Sequence, residues 1–403
     1  MESLGGKTGL VLAGGGARAA YQVGVLRALK EMLPDPRVNP FPIICGTSAG
    51  AVNAGALAVH ADDFGGAVER LLTVWRGFEP HHVYRSDFAG AFANSARWIA
   101  SVLFGAFLKN RRVSLLDNRP LESLLTRQLD FSRIAHNIGK GSLDAVAITC
   151  SGYTSGQSCS FFEGGERVHG WKRSQRIGIR TRLNAAHLMA SSAIPFVFPP
   201  YHLNREYFGD GSMRQMAPVS PALHLGSERV VVIGTARIRT DAPERTRGDL
   251  FPTLAQVAGH VMSSIFLDSL AVDLERLERI NRTVSCIEPE ALRKMGIGLR
   301  HVDVLVLTPS EPLESIAVRH VRNLPWPIRF LLRSVGAMRR GGATFASYLL
   351  FEKGYCNELI ELGYNDTIKR REEVEAFLAG GICPVPGAYT RTVKFLAPAS
   401  ERA

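Results

Sequence analysis

Residues 43–51 read Ile-Ile-Cys-Gly-Thr-Ser-Ala-Gly-Ala, a short apolar run that breaks into a serine with glycine two positions to either side. The spacing predicts a strand over Phe41–Cys45, a tight turn at Ser48 and a helix over the Ala- and Leu-rich stretch Ala49–Val59. A serine on such a corner has its hydroxyl pushed outward. The pattern Gly-x-Ser-x-Gly is nonetheless five residues with three fixed, and it recurs by chance, so the rest of the chain has to agree with it.

Working outward, Thr8–Leu12 is a second short apolar run, ending in Gly14-Gly15-Gly16, and Ala19–Met32 carries Val23, Leu26 and Leu29 at helical spacing. Two strand–turn–helix units in succession predict a parallel sheet covered by helices. Leu143–Cys150, Arg229–Thr235 and Val302–Thr308 read as further strands buried on both faces, and Leu250–Ile280 as one long helix or a broken pair. From about Ser310 the composition turns to prolines, aromatics and arginines, "NLPWPIRFLLRSVGAMRRGG", followed by helical patterns at Ala343–Phe351 and Asn365–Ala379. The expected organisation is an α/β domain over 1–310, a helical C-terminal extension over 311–381 and a loose tail over 382–403.

The chain's 403 residues, 46% of them apolar, suffice for a sizeable core. Lys and Arg number 48 against 37 Asp and Glu, and the resulting +11 suits an anionic partner such as a phospholipid surface or a nucleic acid. Six cysteines, at 45, 150, 159, 286, 356 and 383, form no C-x-x-C pair and indicate neither a zinc site nor a disulfide framework. The first residues show no charged region leading to an apolar core and cleavage site, which sets the expectation of a cytoplasmic protein. Phe88–Leu108 is about the length that spans a bilayer, but Arg97 near its middle would be costly there. That segment and the arginine-studded Pro325–Arg340 are therefore candidates for packing on the domain or for peripheral contact with the inner membrane surface.

A serine hydroxyl is a weak nucleophile until a base takes its proton and donors await the oxyanion. Gly46 and Gly50 permit strained angles and close helix packing around Ser48. Gly14, Gly15 and Gly16 leave their amides open to a substrate carbonyl, and Arg18 adds a fixed cation suited to a phosphate head group. The same loop satisfies the dinucleotide pattern G-x-G-x-x-[GA], but the acidic residue that would hold a ribose is missing where the next strand ends in Cys45-Gly46-Thr47-Ser48. No Gly-Lys-[Ser/Thr] follows the glycines, so a Walker-type loop is absent as well. For the base, His224 or His260 could complete a Ser, Asp, His order. Asp210, between Gly209 and Gly211, could also reach a serine directly, given enough desolvation to raise its pKa, or could be a plain turn aspartate.

Taken in order, GGGxR after the first strand, G-T-S-A-G about thirty residues later, "ASSAIPFVFPP" at Ala190–Pro200 and D-G-S at Asp210 resemble bacterial members of the patatin-like phospholipase family. The resemblance covers about Lys7–Gly234, includes Leu115–Leu125, and weakens beyond, with Leu274–Asn281 still similar. It implies a three-layer α/β/α fold around a mostly parallel sheet, and a lipid acyl hydrolase with a Ser48–Asp210 dyad in place of a triad. It further implies an oxyanion hole at Gly14–Gly16, Arg18 near the lipid head group, Gly211 as part of the aspartate motif, a phospholipid substrate, and no metal, cofactor or nucleic acid. Ala19 and Ser212 stand where the family usually has glycine and glycine or alanine, and neither removes a reacting group. The alternatives are a hydrolase of triacylglycerols or small esters, or a membrane-binding protein that keeps the fold without turnover.

Overall fold

The structure is a computed structural model that describes residues 6–85, 114–237, 253–265, 269–296, 298–334, 336–338 and 342–380. Phe88–Leu108, Arg339, Arg340 and the tail over 382–403 lie outside the described residues.

The expected strand–turn–helix pairs are β1 (Thr8–Leu12) with helix α1 (Ala20–Met32) and β2 (Ile43–Thr47) with helix α2 (Ala49–Val59). A 3₁₀ turn, Gly16–Ala19, leads into α1. Strand β2 runs two residues further than its sequence predicted, to the residue before Ser48. The remaining strands are β3 (Ala145–Gly152), β4 (Ser158–Gly164), β5 (Trp171–Arg173), β6 (Arg176–Arg180), β7 (Tyr201–Leu203), β8 (Glu206–Asp210), β9 (Arg229–Ile233) and β10 (Asp303–Leu307).

These form one sheet in the order β10-β9-β1-β2-β3-β4-β6-β5, with the β7–β8 hairpin attached to β3. The half from β10 to β3 is parallel, with β9, β1, β2 and β3 buried as apolar strands covered on both faces must be, whereas β4, β5, β7 and β8 pair antiparallel with their neighbours β3, β6 and each other. This hairpin, Tyr201–Asp210, ends at the aspartate motif. Asn204 takes a positive φ of 56° at its turn, which asparagine tolerates better than most residues.

Helices cover both faces. One core joins α1, α2 and helix α3 (Phe64–Arg76) to Ile44, Val231 and Leu305 of the sheet; the other sets Leu270, Leu274 and Leu277 of the Ser269–Ser285 helix against Val11, Ile43 and Val232. The molecule is thus α/β with a central, mostly parallel sheet. Among the described residues of the stretch read as one helix or a broken pair, Leu254–Ser263 and Ser269–Ser285 are helical. The C-terminal helices Ala343–Leu349, Lys353–Ile368 and Arg371–Leu378 pack back on the sheet's first unit, with Tyr21 Oη of α1 donating to Asp366 at 3.3 Å. Among the described residues no helix is long and apolar enough to cross a membrane.

Candidate active site

Strand register brings two distant residues together. Thr47 pairs with Thr149 on β3, and the next β3 residue, Cys150, pairs with Asp210 at the end of β8. Strand β4 fills the opposite edge of β3, so β8 joins the edge that β2 leaves after Thr47, and Ser48 and Asp210 meet on that same edge. The Ser48 hydroxyl donates to Asp210 Oδ2 at 2.5 Å.

Ser48 sits at φ 55°, ψ −128°, a backbone region that L-residues other than glycine rarely enter. Such strain persists only when the surroundings impose it. Here Ser48 N–H donates to Ser191 Oγ at 2.8 Å, and that hydroxyl in turn donates to the Thr149 carbonyl at 2.6 Å, locking the corner to β3. Gly50 lets α2 close on β1, because a Cβ there would overlap the Leu12 and Ala13 carbonyl oxygens. That contact sets the serine turn beside the glycine loop.

Asp210 is completely buried, and desolvation raises its pKa to about 6 against the opposing pull of hydrogen bonds from Ser48 and the Ser212 amide. Its Oδ1 accepts from Ser212 N–H at 2.9 Å, so the carboxylate is oriented at both oxygens. A carboxylate with this pKa is ionised at neutral pH yet a stronger base than one in water. His224 instead pairs through Nδ1 with Ser220 and stacks on Trp171, and His260 is exposed on the Leu254–Ser263 helix; neither bonds to Ser48.

Ser48 opens into a small apolar cavity lined with Gly16, Ala49, Val52, Trp75, Phe78 and Phe351, among others. Trp75, Phe78 and Phe351 form a mutually packed aromatic wall, with Phe78 and Phe351 edge to face at 5.8 Å between centroids. Ser192 Oγ also lies in this wall, buried and without a hydrogen-bond partner among the described residues. The sequence had marked Ala190–Pro200 as a motif without showing that Ser191 fixes the turn, and no local signal pointed to the aromatic wall, whose members come from separated segments. Gly16, at φ 55°, reaches the cavity from the first strand, and its bare Cα admits the Tyr348 carbonyl, which a Cβ would strike.

Arg18 is a correction. Expected beside a head group, it is only 1% exposed and faces the C-terminal helices: Nε donates to Ser347 Oγ at 2.8 Å, the guanidinium lies 4.2 Å over the Tyr348 ring, and Glu314 is 3.7 Å away. Its place in the 3₁₀ turn points it away from the cavity, so it serves as a clamp between the glycine loop and the C-terminal helices.

The site is thus a strained serine, bonded to a buried carboxylate, that opens on an apolar cavity. Residues 10–223 match the patatin-like phospholipase family, and the chain belongs to that family of lipid hydrolases. Over 71 residues, 18% of this chain but 5% of the relative's length, it is 49% identical to a patatin-like phospholipase domain-containing protein of Caenorhabditis elegans, so it spans only a small part of that protein. Among solved structures, VipD of Legionella pneumophila aligns over 91% of this chain and 67% of its own, at 14% identity and a TM-score of 0.33.

Proposed function

We propose that the protein hydrolyses lipid acyl esters, with Ser48 as nucleophile and Asp210 as its sole general base. Ser48 Oγ attacks the ester carbonyl carbon as its proton passes to Asp210 Oδ2. The oxyanion settles against the Gly14–Gly16 amides, and collapse expels the alcohol, which takes the proton back from Asp210. Water then attacks the acyl-serine with Asp210 again accepting the proton, releasing the fatty acid and regenerating Ser48. The observation that carries this reading is the 2.5 Å Ser48–Asp210 hydrogen bond at the floor of an apolar cavity.

The cavity is the acyl site in this scheme. Each methylene transferred from water to its aromatic wall is worth about 0.8 kcal/mol, so long acyl chains are bound in preference to short ones. A phospholipid fits a basic chain, and the exposed, stacked pair Trp326 and Phe330, on the same helix as Arg329 and Arg333, is the proposed contact with a membrane surface.

The test is release of free fatty acid from mixed anionic and zwitterionic phospholipid vesicles without calcium. Activity in the wild type that disappears in Ser48→Ala and Asp210→Asn supports the dyad. A folded wild type that releases nothing from phospholipids, triacylglycerols or p-nitrophenyl esters, and whose Ser48 does not react with a fluorophosphonate, overturns it.

A further inference from the structure

Behind the glycine loop, two buried amide side chains and the indole N–H of the cavity-lining Trp75 have no part in the chemical steps above. Gln22 and Asn53 are fully buried, and Trp75 nearly so. They form a chain: Trp75 Nε1–H donates to Asn53 Oδ1 at 2.8 Å, Asn53 Nδ2 donates to Gln22 Oε1 at 2.9 Å, and Gln22 Nε2 donates to the Ala13 carbonyl at 2.8 Å and the Ile233 carbonyl at 3.3 Å.

The direction of this chain is forced. An indole N–H only donates, so Asn53 must turn its oxygen to Trp75 and its amino group to Gln22. Carbonyls only accept, so from the other end Gln22 must turn its amino group to Ala13 and Ile233. Both ends demand the same orientation of both amides, and neither can flip without breaking a buried bond.

A second clamp holds the next peptide. Thr235 Oγ1 donates to the Gly14 carbonyl at 2.5 Å, and Gly15 is packed so close to Thr235 that a Cβ would collide with it. A peptide unit is planar and trans, so its C=O and N–H point in opposite directions. Holding the Ala13 carbonyl toward Gln22 aims the Gly14 N–H the other way, and holding the Gly14 carbonyl toward Thr235 does the same for the Gly15 N–H. Neither of these amides bonds to another described residue.

We infer that Gln22 and Thr235 are positioning residues that aim the Gly14 and Gly15 amides as oxyanion donors, with Asn53 and Trp75 fixing the orientation of Gln22. The inference rests on the proposed Ser48 chemistry and assigns its donors to two particular peptides. Trp75 also lines the acyl cavity, so the chain runs unbroken from the acyl wall to the oxyanion loop.

Because misaimed donors weaken only the charge that develops at the transition state, the effect falls on kcat. With p-nitrophenyl butyrate, Thr235→Val, which keeps the side chain's shape, and Gln22→Met are expected to lower kcat about 10- to 100-fold while KM stays within about twofold. Thr235→Ser restores most of the rate, a rescue that a packing role alone would not give. Trp75→Phe, which removes only the fixed donor and part of the ring, covers the case in which Gln22→Met fails to fold. Thermal unfolding identifies folded variants. Folded Thr235→Val and Gln22→Met with wild-type kcat overturn the clamp while leaving the dyad standing, as does a loss in Thr235→Val that Ser does not rescue. A wild type without Ser48-dependent turnover or fluorophosphonate labelling overturns the dyad, and the clamp with it.

Discussion

Replacing Asp210 by asparagine should abolish turnover and, at neutral pH, make the protein harder to unfold. Asp210 is fully buried, and desolvation lifts its folded-state pKa from the ordinary 3.8 to about 6. Below about pH 4 the carboxyl is neutral in both folded and unfolded chains. As pH rises through 6 the folded protein must carry a buried charge that the unfolded chain carries in water, and stability is lost over that window. The displacement is about two pH units at 1.36 kcal/mol each, or about 3 kcal/mol above pH 7, an upper figure because it takes the full shift as stability. Asparagine does not titrate, so relative to wild type the variant gains that amount between pH 4 and pH 7.5. With an unfolding entropy of about 2.1 cal/mol/K per residue, a chain of 403 residues changes its midpoint by roughly 3–4 °C for 3 kcal/mol. Thermal unfolding of both proteins at pH 4, 5, 6, 7 and 8 reads this directly. A difference in midpoint that does not change with pH, or a variant that loses ground to wild type as pH rises, refutes the burial argument.

Other outcomes follow from the same geometry. The rate of single-turnover acylation should climb about tenfold per pH unit below pH 6 and level off above it, since only ionised Asp210 accepts the Ser48 proton; a profile flat from pH 4.5 to 8 excludes Asp210 as the base. Ser48→Gly removes the hydroxyl and relieves the φ 55° backbone, so an inactive protein more stable by about 1 kcal/mol is expected in urea titrations, and a destabilised one contradicts the strain. Arg18→Met should lower the unfolding midpoint, by about 2–3 kcal/mol in stability, through loss of Ser347 and Glu314, while the ratio of rates on anionic and zwitterionic vesicles stays unchanged; a changed ratio restores a head-group role.

The parallel half of the fold was legible because apolar runs closed by glycine carry both the strand signal and the turn. The antiparallel half was not. Its hairpin strands Tyr201–Leu203 and Glu206–Asp210 are short, and the pairing of the second with β3 is a tertiary fact. The Lys353–Ile368 helix was read only from Asn365 onward, although Tyr355, Cys356, Leu359 and Ile360 recur at helical spacing on its buried side. Two glycines in that stretch masked the pattern. Ser48 and Asp210 could be named from ordered motifs, because each lies in a turn whose residues are set locally. Arg18 could not be placed correctly, because its partners Ser347 and Tyr348 lie more than three hundred residues away in the chain. The aromatic wall was invisible for the same reason.

That distance has a consequence for synthesis. The glycine loop and the serine turn leave the ribosome some three hundred residues before the Tyr348 carbonyl that packs on Gly16 and the Phe351 ring that walls the cavity. At about 5–20 residues per second the nascent chain carries Ser48 for tens of seconds without a finished cavity beside it. The cavity beside Ser48 is thereby completed only when the late helices fold back onto the strand that precedes the glycine loop.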